Sequence, residues 1–350
     1  MKAAVFHGLG KPLSIETVPD PVCGPGDVLM KVNYCGICGS DLHATQEGVF
    51  VVPDGTILGH EVAAEVIEVG KDAKGLFKVG ERVTTIPVNA CANCGRTCRL
   101  GLGIHCPNNQ ITGFGIPGAY AEYLRADAHH VLKLSNAVTD EEAAMVEPLA
   151  VGFHAVERSG MKPGANVLVL GAGPIGLSCA LFAHFAGARK VVVSEMAPSR
   201  RARALNFGAT HTIDPGEALV PEQFASIAGG APDLIFECVG VKGLIQSCIE
   251  MLPPFGKVVV VGVCMQPDTI VPISGILKEA AVQFVLGYSK RDFEIVIDLL
   301  AADRVDPMPM LTNKVDFAAL PAAFEALRKP TDQCKVMLKT SRSTRRRTQG

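Results

Sequence analysis

The 350-residue sequence lacks any apolar run approaching the ~20 residues that a membrane span needs, so it is read as a chain that does not cross a bilayer. It lacks an excess of either charge. The 33 basic and 35 acidic residues leave a formal net charge of −2, which removes any global argument for nucleic acid or an anionic membrane as partner. It lacks a secretory leader, because the apolar stretch in Met1-Lys2-Ala3-Ala4-Val5-Phe6 is too short, and a cytoplasmic location is expected. Internal repeats are also absent. The only biased segment is a basic tail, Ser341-Arg342-Ser343-Thr344-Arg345-Arg346-Arg347, which reads as a frayed terminus rather than a phosphate-binding arm.

What is present fits a folded chain, with 48% hydrophobic and 19% charged residues. A length of 350 exceeds one ordinary core, so two domains are expected. The twelve cysteines, in a chain expected to be cytosolic, read as metal or redox sites before disulfides. Up to about residue 135 the pattern is short strands, such as 28–32, 62–69 and 82–87, punctuated by Gly70, Gly75 and Gly80. After Gly160 it changes. The apolar runs 167–170, 191–193, 234–236, 258–261 and 282–286 alternate with helix-compatible stretches such as 175–186, 200–207 and 244–251. Strands alternating with helices predict a parallel, doubly wound α/β sheet. The last part turns helical over 293–300 and ends in a strand-like Lys335-Val336-Met337-Leu338, which could return to the first domain.

Gly171-Ala172-Gly173-Pro174-Ile175-Gly176 is a G-x-G-x-x-G pattern that follows a strand and opens a helix, the context in which it binds a dinucleotide. The glycines let the backbone approach a pyrophosphate, the helix start offers free N–H groups, and Pro174 costs little there. Glu195, 19 residues after Gly176, ends the second strand. A carboxylate at that place accepts from both ribose hydroxyls and repels a 2′-phosphate, which favours NAD over NADP. Arg200 and Arg201 pull the other way, since either could meet such a phosphate. Val239 and Val263, just beyond two later strands, are further candidate coenzyme contacts.

Cys91, Cys94, Cys98 and Cys106 form C-x2-C-x3-C-x7-C, which suits one closed, structural zinc site. A second set is dispersed: Cys38 in Cys35-Gly36-Ile37-Cys38-Gly39-Ser40-Asp41-Leu42-His43, His60 in Gly59-His60-Glu61, and Glu147 in Val146-Glu147-Pro148-Leu149. Cys, His and Glu plus a water would make an open catalytic zinc site. Taken singly, His60 reads as well as a core histidine and Glu147 as a solvated helix-start carboxylate.

With these motifs the sequence resembles the zinc-containing alcohol dehydrogenases of the medium-chain dehydrogenase/reductase superfamily, over nearly the whole chain to about Thr340. Gly59-His60-Glu61, with Gly70 nine residues beyond Glu61, fits the family's zinc signature. Ala64 stands where that signature has Gly. The cysteine lobe carries one more residue between Cys94 and Cys98 than the family pattern, and Gly95 could absorb it in a turn. Glu147-Pro148-Leu149-Ala150-Val151 resembles the glutamate-ligand branch, which includes sorbitol, butanediol and threonine dehydrogenases.

The resemblance implies a discontinuous, β-rich GroES-like catalytic domain over 1–150 and 287–350, and a Rossmann NAD-binding domain over 151–286. It implies catalytic zinc on Cys38, His60 and Glu147, with Glu61 as a neighbour of the site or an alternate ligand. Ser40 matches the hydroxyl that bonds the substrate oxygen, His43 is placed to relay the proton to solvent, and Lys335 resembles a position near the coenzyme phosphates. The expected activity is reversible hydride transfer between NAD and an alcohol or ketone, in a homodimer or homotetramer. The apolar loop 48–53 favours a secondary or cyclic alcohol over a polyol. The alternatives are a zinc-free reductase of the same superfamily and a non-catalytic NAD-binding protein.

Overall fold

The computed structural model describes residues 1–46, 52–91, 94–99, 103–329 and 331–340. The basic tail and residues 48–51 of the apolar loop lie outside them. The chain divides into two compact units. One is Met1–Glu147 with Phe293–Arg304 and Leu311–Gly350, and the other is Pro148–Asp292 with Val305–Met310.

Two of the divisions fall inside the helices Val146–Ser159 and Lys290–Ala301, a few residues from the expected bounds, while Val305–Met310, expected in the first unit, groups with the second. Residues 287–292 stay with the second unit for a physical reason. His154 Nδ1 meets the buried Asp292 carboxylate at 2.9 Å, and the Ser289 N–H donates to the same carboxylate at 2.6 Å.

The first unit is built on a seven-stranded sheet. Its central strand, Asp27–Gly36, pairs with Glu61–Val69 and Tyr123–Asp127, and at its far end with Lys335–Lys339. Apolar residues of β-branched or compact shape fill the pleat. Val28, Met30, Val32, Val62, Ala64, Val66 and Leu124 join Val336 and Leu338 in one buried cluster. The C-terminal strand sets Met337 opposite Gly36 and Leu338 opposite Cys35. That register sets Val336 level with Ile37 and carries Lys335 to the level of Cys38.

The second unit is a six-stranded parallel sheet. In chain order its strands are β1 (Asn166–Leu170), β2 (Lys190–Ser194), β3 (His211–Ile213), β4 (Leu234–Glu237), β5 (Lys257–Val260) and β6 (Ala281–Phe284), and their spatial order is β3-β2-β1-β4-β5-β6. The strand order reverses between β1 and β4, which makes the carboxyl ends of those strands the ligand-binding edge of such a sheet. The runs in β1 and β2 are apolar without alternation because both faces are covered. Among the described residues no helix is long and apolar enough to cross a membrane.

Candidate functional site

In the second unit, the turn after β1 carries the glycine pattern. Gly171 has φ +92°, a left-handed backbone that side chains disfavour. A Cβ on Gly176 would stand 2.0 Å from the Gly171 carbonyl oxygen, so only glycine lets the helix Pro174–Phe185 start this close to the strand. Pro174 occupies the first helical turn. Glu195 directly follows β2. Its two carboxylate oxygens accept the N–H groups of Ala172 at 3.0 Å and Ala197 at 2.9 Å, which aims the acid at the glycine turn.

Arg201 is committed elsewhere. Its Nη1 donates to the carbonyls of Glu195 and Met196, both at 2.7 Å, and pairs with Asp214 at 2.7 Å. Arg200 is half-buried on the helix Pro198–Ala204. Val239 and Val263 stand exposed just past β4 and β5.

In the first unit the four cysteines converge. Their sulfurs all lie within 4.8 Å of one another, with Cys94–Cys98 at 3.1 Å, Cys94–Cys106 at 3.4 Å, Cys91–Cys106 at 3.5 Å and Cys91–Cys98 at 4.0 Å. Four thiolates on zinc at about 2.3 Å form a tetrahedron with edges of roughly 3.8 Å, so the lobe fits zinc. The extra residue is taken up by Gly95, at φ +90°, and by the short helix Arg96–Arg99. The Thr97 hydroxyl and Cys98 beside Cys94 draw its thiol pKa down, while Cys98, against Cys94, is pushed up to about 12.

The dispersed set sits at two strand ends and on two helices, Gly39–Gln46 and Val146–Ser159. Cys38 follows the strand Asp27–Gly36, Ser40 and His43 ride the helix Gly39–Gln46, and His60 precedes the strand Glu61–Val69. His60 is buried. Its Nε2 lies 3.3 Å from Ser40 Oγ, and its Nδ1 lies 3.4 Å from Asp41 Oδ1. Phe114 packs tilted against its ring, with centroids 5.4 Å apart. Glu147 is buried at the end of the unit, and His43 is half-buried. Cys38, His60 and Glu147 do not form a second group with the tight mutual spacing of the cysteine lobe.

Two residues here escaped the sequence reading. Asp41, fully buried, faces His60 Nδ1 with one oxygen, while its other oxygen accepts from the Tyr120 hydroxyl at 2.6 Å and the Cys38 N–H at 3.2 Å. Burial opposes the Asp41 charge, but His60 and then Tyr120 outweigh it and hold the carboxyl below its usual range. A carboxylate behind a histidine fixes the tautomer and leaves the other nitrogen free to ligate. The only signal was an acid three residues after Cys38, which reads equally as a helix-start residue.

Lys335 is a correction. It is 1% exposed, and its Nζ donates to Glu61 Oε1 at 2.6 Å, Glu61 Oε2 at 2.7 Å and the Ile37 carbonyl at 3.1 Å. All three ammonium protons are used inside the first unit, so none is left for a coenzyme phosphate. Glu61 has both carboxylate oxygens on the Lys335 ammonium.

The surroundings suit a cation. Burial opposes charge on His60, yet Asp41 and then Cys38 raise its pKa well above the ordinary value. Burial likewise opposes charge on Lys335, and Glu61, Cys38 and Glu147 outweigh it. A thiol, an imidazole backed by a carboxylate, and a carboxylate are a donor set that zinc accepts.

Two family descriptions match the chain: the alcohol dehydrogenase GroES-like domain over residues 24–136 and the zinc-binding dehydrogenase over 174–302. Sorbitol dehydrogenase of Gallus gallus is 34% identical, with 96% of each chain covered. The crystal structure of 2R,3R-butanediol dehydrogenase from Bacillus subtilis superposes with a TM-score of 0.88 at 30% identity, covering 97% of this chain and 99% of that one. A zinc-binding dehydrogenase structure from Sinorhizobium meliloti 1021, bound to NADP, gives 0.90 at 29% identity, covering 97% and 98%.

Proposed function

This chain belongs to the zinc-dependent alcohol dehydrogenases, oxidoreductases that act on CH–OH donors, and from that premise we propose NAD as its coenzyme and a secondary alcohol, or the matching ketone, as its substrate. The observation that carries the coenzyme choice is Glu195, whose carboxylate is aimed at the glycine turn by the Ala172 and Ala197 N–H groups. A 2′-phosphate would meet that negative charge, and Arg201, held by Asp214, is not placed to neutralise it. The NADP-bound relative makes the test necessary. Glu195→Ala should raise the NADP/NAD ratio of kcat/KM by about tenfold or more, the worth of one charge-assisted contact. An unchanged ratio would remove Glu195 as the selector.

Cys38, His60 and Glu147 would hold the catalytic zinc, and the four-cysteine lobe a structural one. When bound, the catalytic ion supplies a Lewis acid that lowers the pKa of the alcohol oxygen. The chain's own residues handle orientation and protons. Asp41 keeps His60 Nδ1 protonated so that Nε2 can ligate. Ser40, whose Oγ lies 3.3 Å from that Nε2, would accept the proton of the substrate hydroxyl while giving up its own proton toward His43. His43, one helical turn further along Gly39–Gln46, passes the proton to solvent, a task suited to an imidazole near neutrality.

Phe114 against His60 supports an apolar substrate wall, as does the sequence of loop 48–53. A panel of secondary alcohols, diols and polyols, assayed with NAD in both directions, tests this. A polyol preferred over every simple secondary alcohol would overturn it. The alcohol or ketone is a small molecule; no nucleic acid and no membrane is expected as partner. A cytoplasmic location is proposed with it, supported by the cysteines being free of disulfides.

The oligomer is read from the second unit. β6 is the edge strand of its sheet, and Phe255, Ile273, Ile276, Leu277, Phe284 and Leu286 around it are exposed. An open, apolar strand edge is a template for another strand. A second copy presenting the same edge would continue the sheet and cover these side chains, giving a homodimer, which two such dimers could extend to a homotetramer. Light scattering on Phe284→Glu should report a smaller assembly than wild type; an unchanged mass would count against this edge.

A further inference from the structure

Glu237 is the last residue of β4, and its side chain is 1% exposed. Its Oε1 accepts the N–H of Val239 at 2.7 Å and of Gly240 at 2.8 Å. Its backbone carbonyl accepts the N–H of Val261 at 2.9 Å and of Gly262 at 2.8 Å. One residue therefore ties the loop after β4 to the loop after β5. The two loops touch backbone to backbone. A Cβ on Gly262 would stand 2.4 Å from the Gly240 nitrogen and 2.9 Å from Glu237 Oε2. The carboxylate holds the loop after β4, and the close backbone contact of Gly240 with Gly262 and Val263 passes that position to the loop after β5.

These loops lie at the carboxyl ends of parallel strands, across the point of strand reversal from Glu195. In a sheet of this order the adenosine half of a dinucleotide lies over β1 and β2, and the nicotinamide half over the strands on the other side. Val239 and Val263, exposed on the two loops that Glu237 joins, lie on that side of the strand reversal. A buried carboxylate is costly unless its hydrogen bonds are made, and here they are spent on loop N–H groups alone.

We propose that Glu237 is a positioning residue for the nicotinamide half of the coenzyme site, holding the Val239 and Val263 loops in the conformation that receives the ring. This rests on the reading of the second unit as a coenzyme binder. The test is equilibrium binding of NADH, read by its own fluorescence, and of AMP, read by its competition with NADH. Wild type, Glu237→Ala and Glu237→Gln are compared, with a thermal melt of each.

Glu237→Ala should weaken NADH roughly tenfold or more, the worth of hydrogen bonds to a charged group, and leave AMP within about twofold. Glu237→Gln, whose amide oxygen can still accept both N–H groups, should recover most of the loss. If AMP weakens in step with NADH, the residue supports the whole unit and the proposal fails. It fails also if NADH binding is unchanged in the alanine variant, or if glutamine recovers nothing. Should Glu237→Ala not fold, Glu237→Gln must bind both ligands as wild type does, or the proposal is lost. Wild-type protein that binds neither NADH nor AMP would instead overturn the coenzyme reading of the unit.

Discussion

Replacing Lys335 with Met would strand a charge. The side chains of Lys335 and Glu61 are 1% and 0% exposed, and the ammonium supplies hydrogen bonds to both carboxylate oxygens, at 2.6 and 2.7 Å. Removing one partner of a buried pair costs about 3–5 kcal/mol, because the remaining ion is neither solvated nor compensated. For a unit of this size each kcal/mol moves the melting temperature by about 2–4 °C, so Lys335→Met should melt roughly 6–20 °C lower.

The composition supplies the probe. The chain has no tryptophan and four tyrosines, and three of these, Tyr34, Tyr120 and Tyr123, lie in the first unit. Tyrosine emission on heating thus reports mainly that unit. The double variant Lys335→Met with Glu61→Met removes both charges at similar volume and should recover most of the loss, since apolar replacement of a buried pair is often neutral or better. A single variant that melts with wild type, or a double variant no better than the single, would show that Glu61 is not a stranded buried ion and refute the reasoning.

The metal assignments separate by zinc analysis. Cys38→Ala should lose the catalytic zinc and turnover while keeping its fold, and wild-type rates in that variant would end the zinc mechanism. Cys98→Ala should lose the other zinc equivalent and retain the catalytic one; unchanged zinc content would mean the lobe is empty in solution. At the surface, His7 bridges Glu16 at 2.6 Å and Asp54 at 2.8 Å. The bond to Glu16 and then that to Asp54 raise the His7 pKa above 6.5, while both carboxyls are lowered, chiefly by His7, from 4.5 and 3.8. The imidazolium contribution is full below 6.5 and fades as pH rises through the raised folded value; the carboxylate contribution is full above 4.5 and fades as pH falls through the lowered ones. The melting deficit of His7→Gln should therefore be largest between about pH 4.5 and 6.5 and shrink as pH rises through the raised His7 value; a deficit independent of pH would rule out the charged bridge.

What could be read from the sequence was local. The glycine turn, Glu195 at the end of the next strand and the four clustered cysteines are signals contained within a few dozen residues. Gly95 as the residue that absorbs the lobe's extra position is of the same kind. Asp41 and Tyr120 were not legible as a pair, because their bond joins residues 79 positions apart and an acid beside Ser40 reads equally as a helix-start residue. Lys335 was misread for a related reason. A lysine in a C-terminal strand has no visible partner until the register of Lys335–Lys339 against Asp27–Gly36 brings it to Glu61, 274 positions earlier. Two of the divisions between the units fall within continuous helices, where composition gives no signal.

That C-terminal strand also sets an order of events during synthesis. The strand Asp27–Gly36 has its partner Lys335–Lys339 only after about 300 more residues are made, which at roughly 5–20 residues per second takes about 15–60 s. For that interval one side of the first unit's central strand near Cys35 and Gly36 is unpaired, and Glu61 has no counter-ion. The second unit, whose sheet strands and turns all fall within 166–284, can close in the meantime. On a ribosome the nascent first unit is therefore the part with an open strand edge, a state prone to pairing with other chains. Any truncation before Lys335 would make that state permanent.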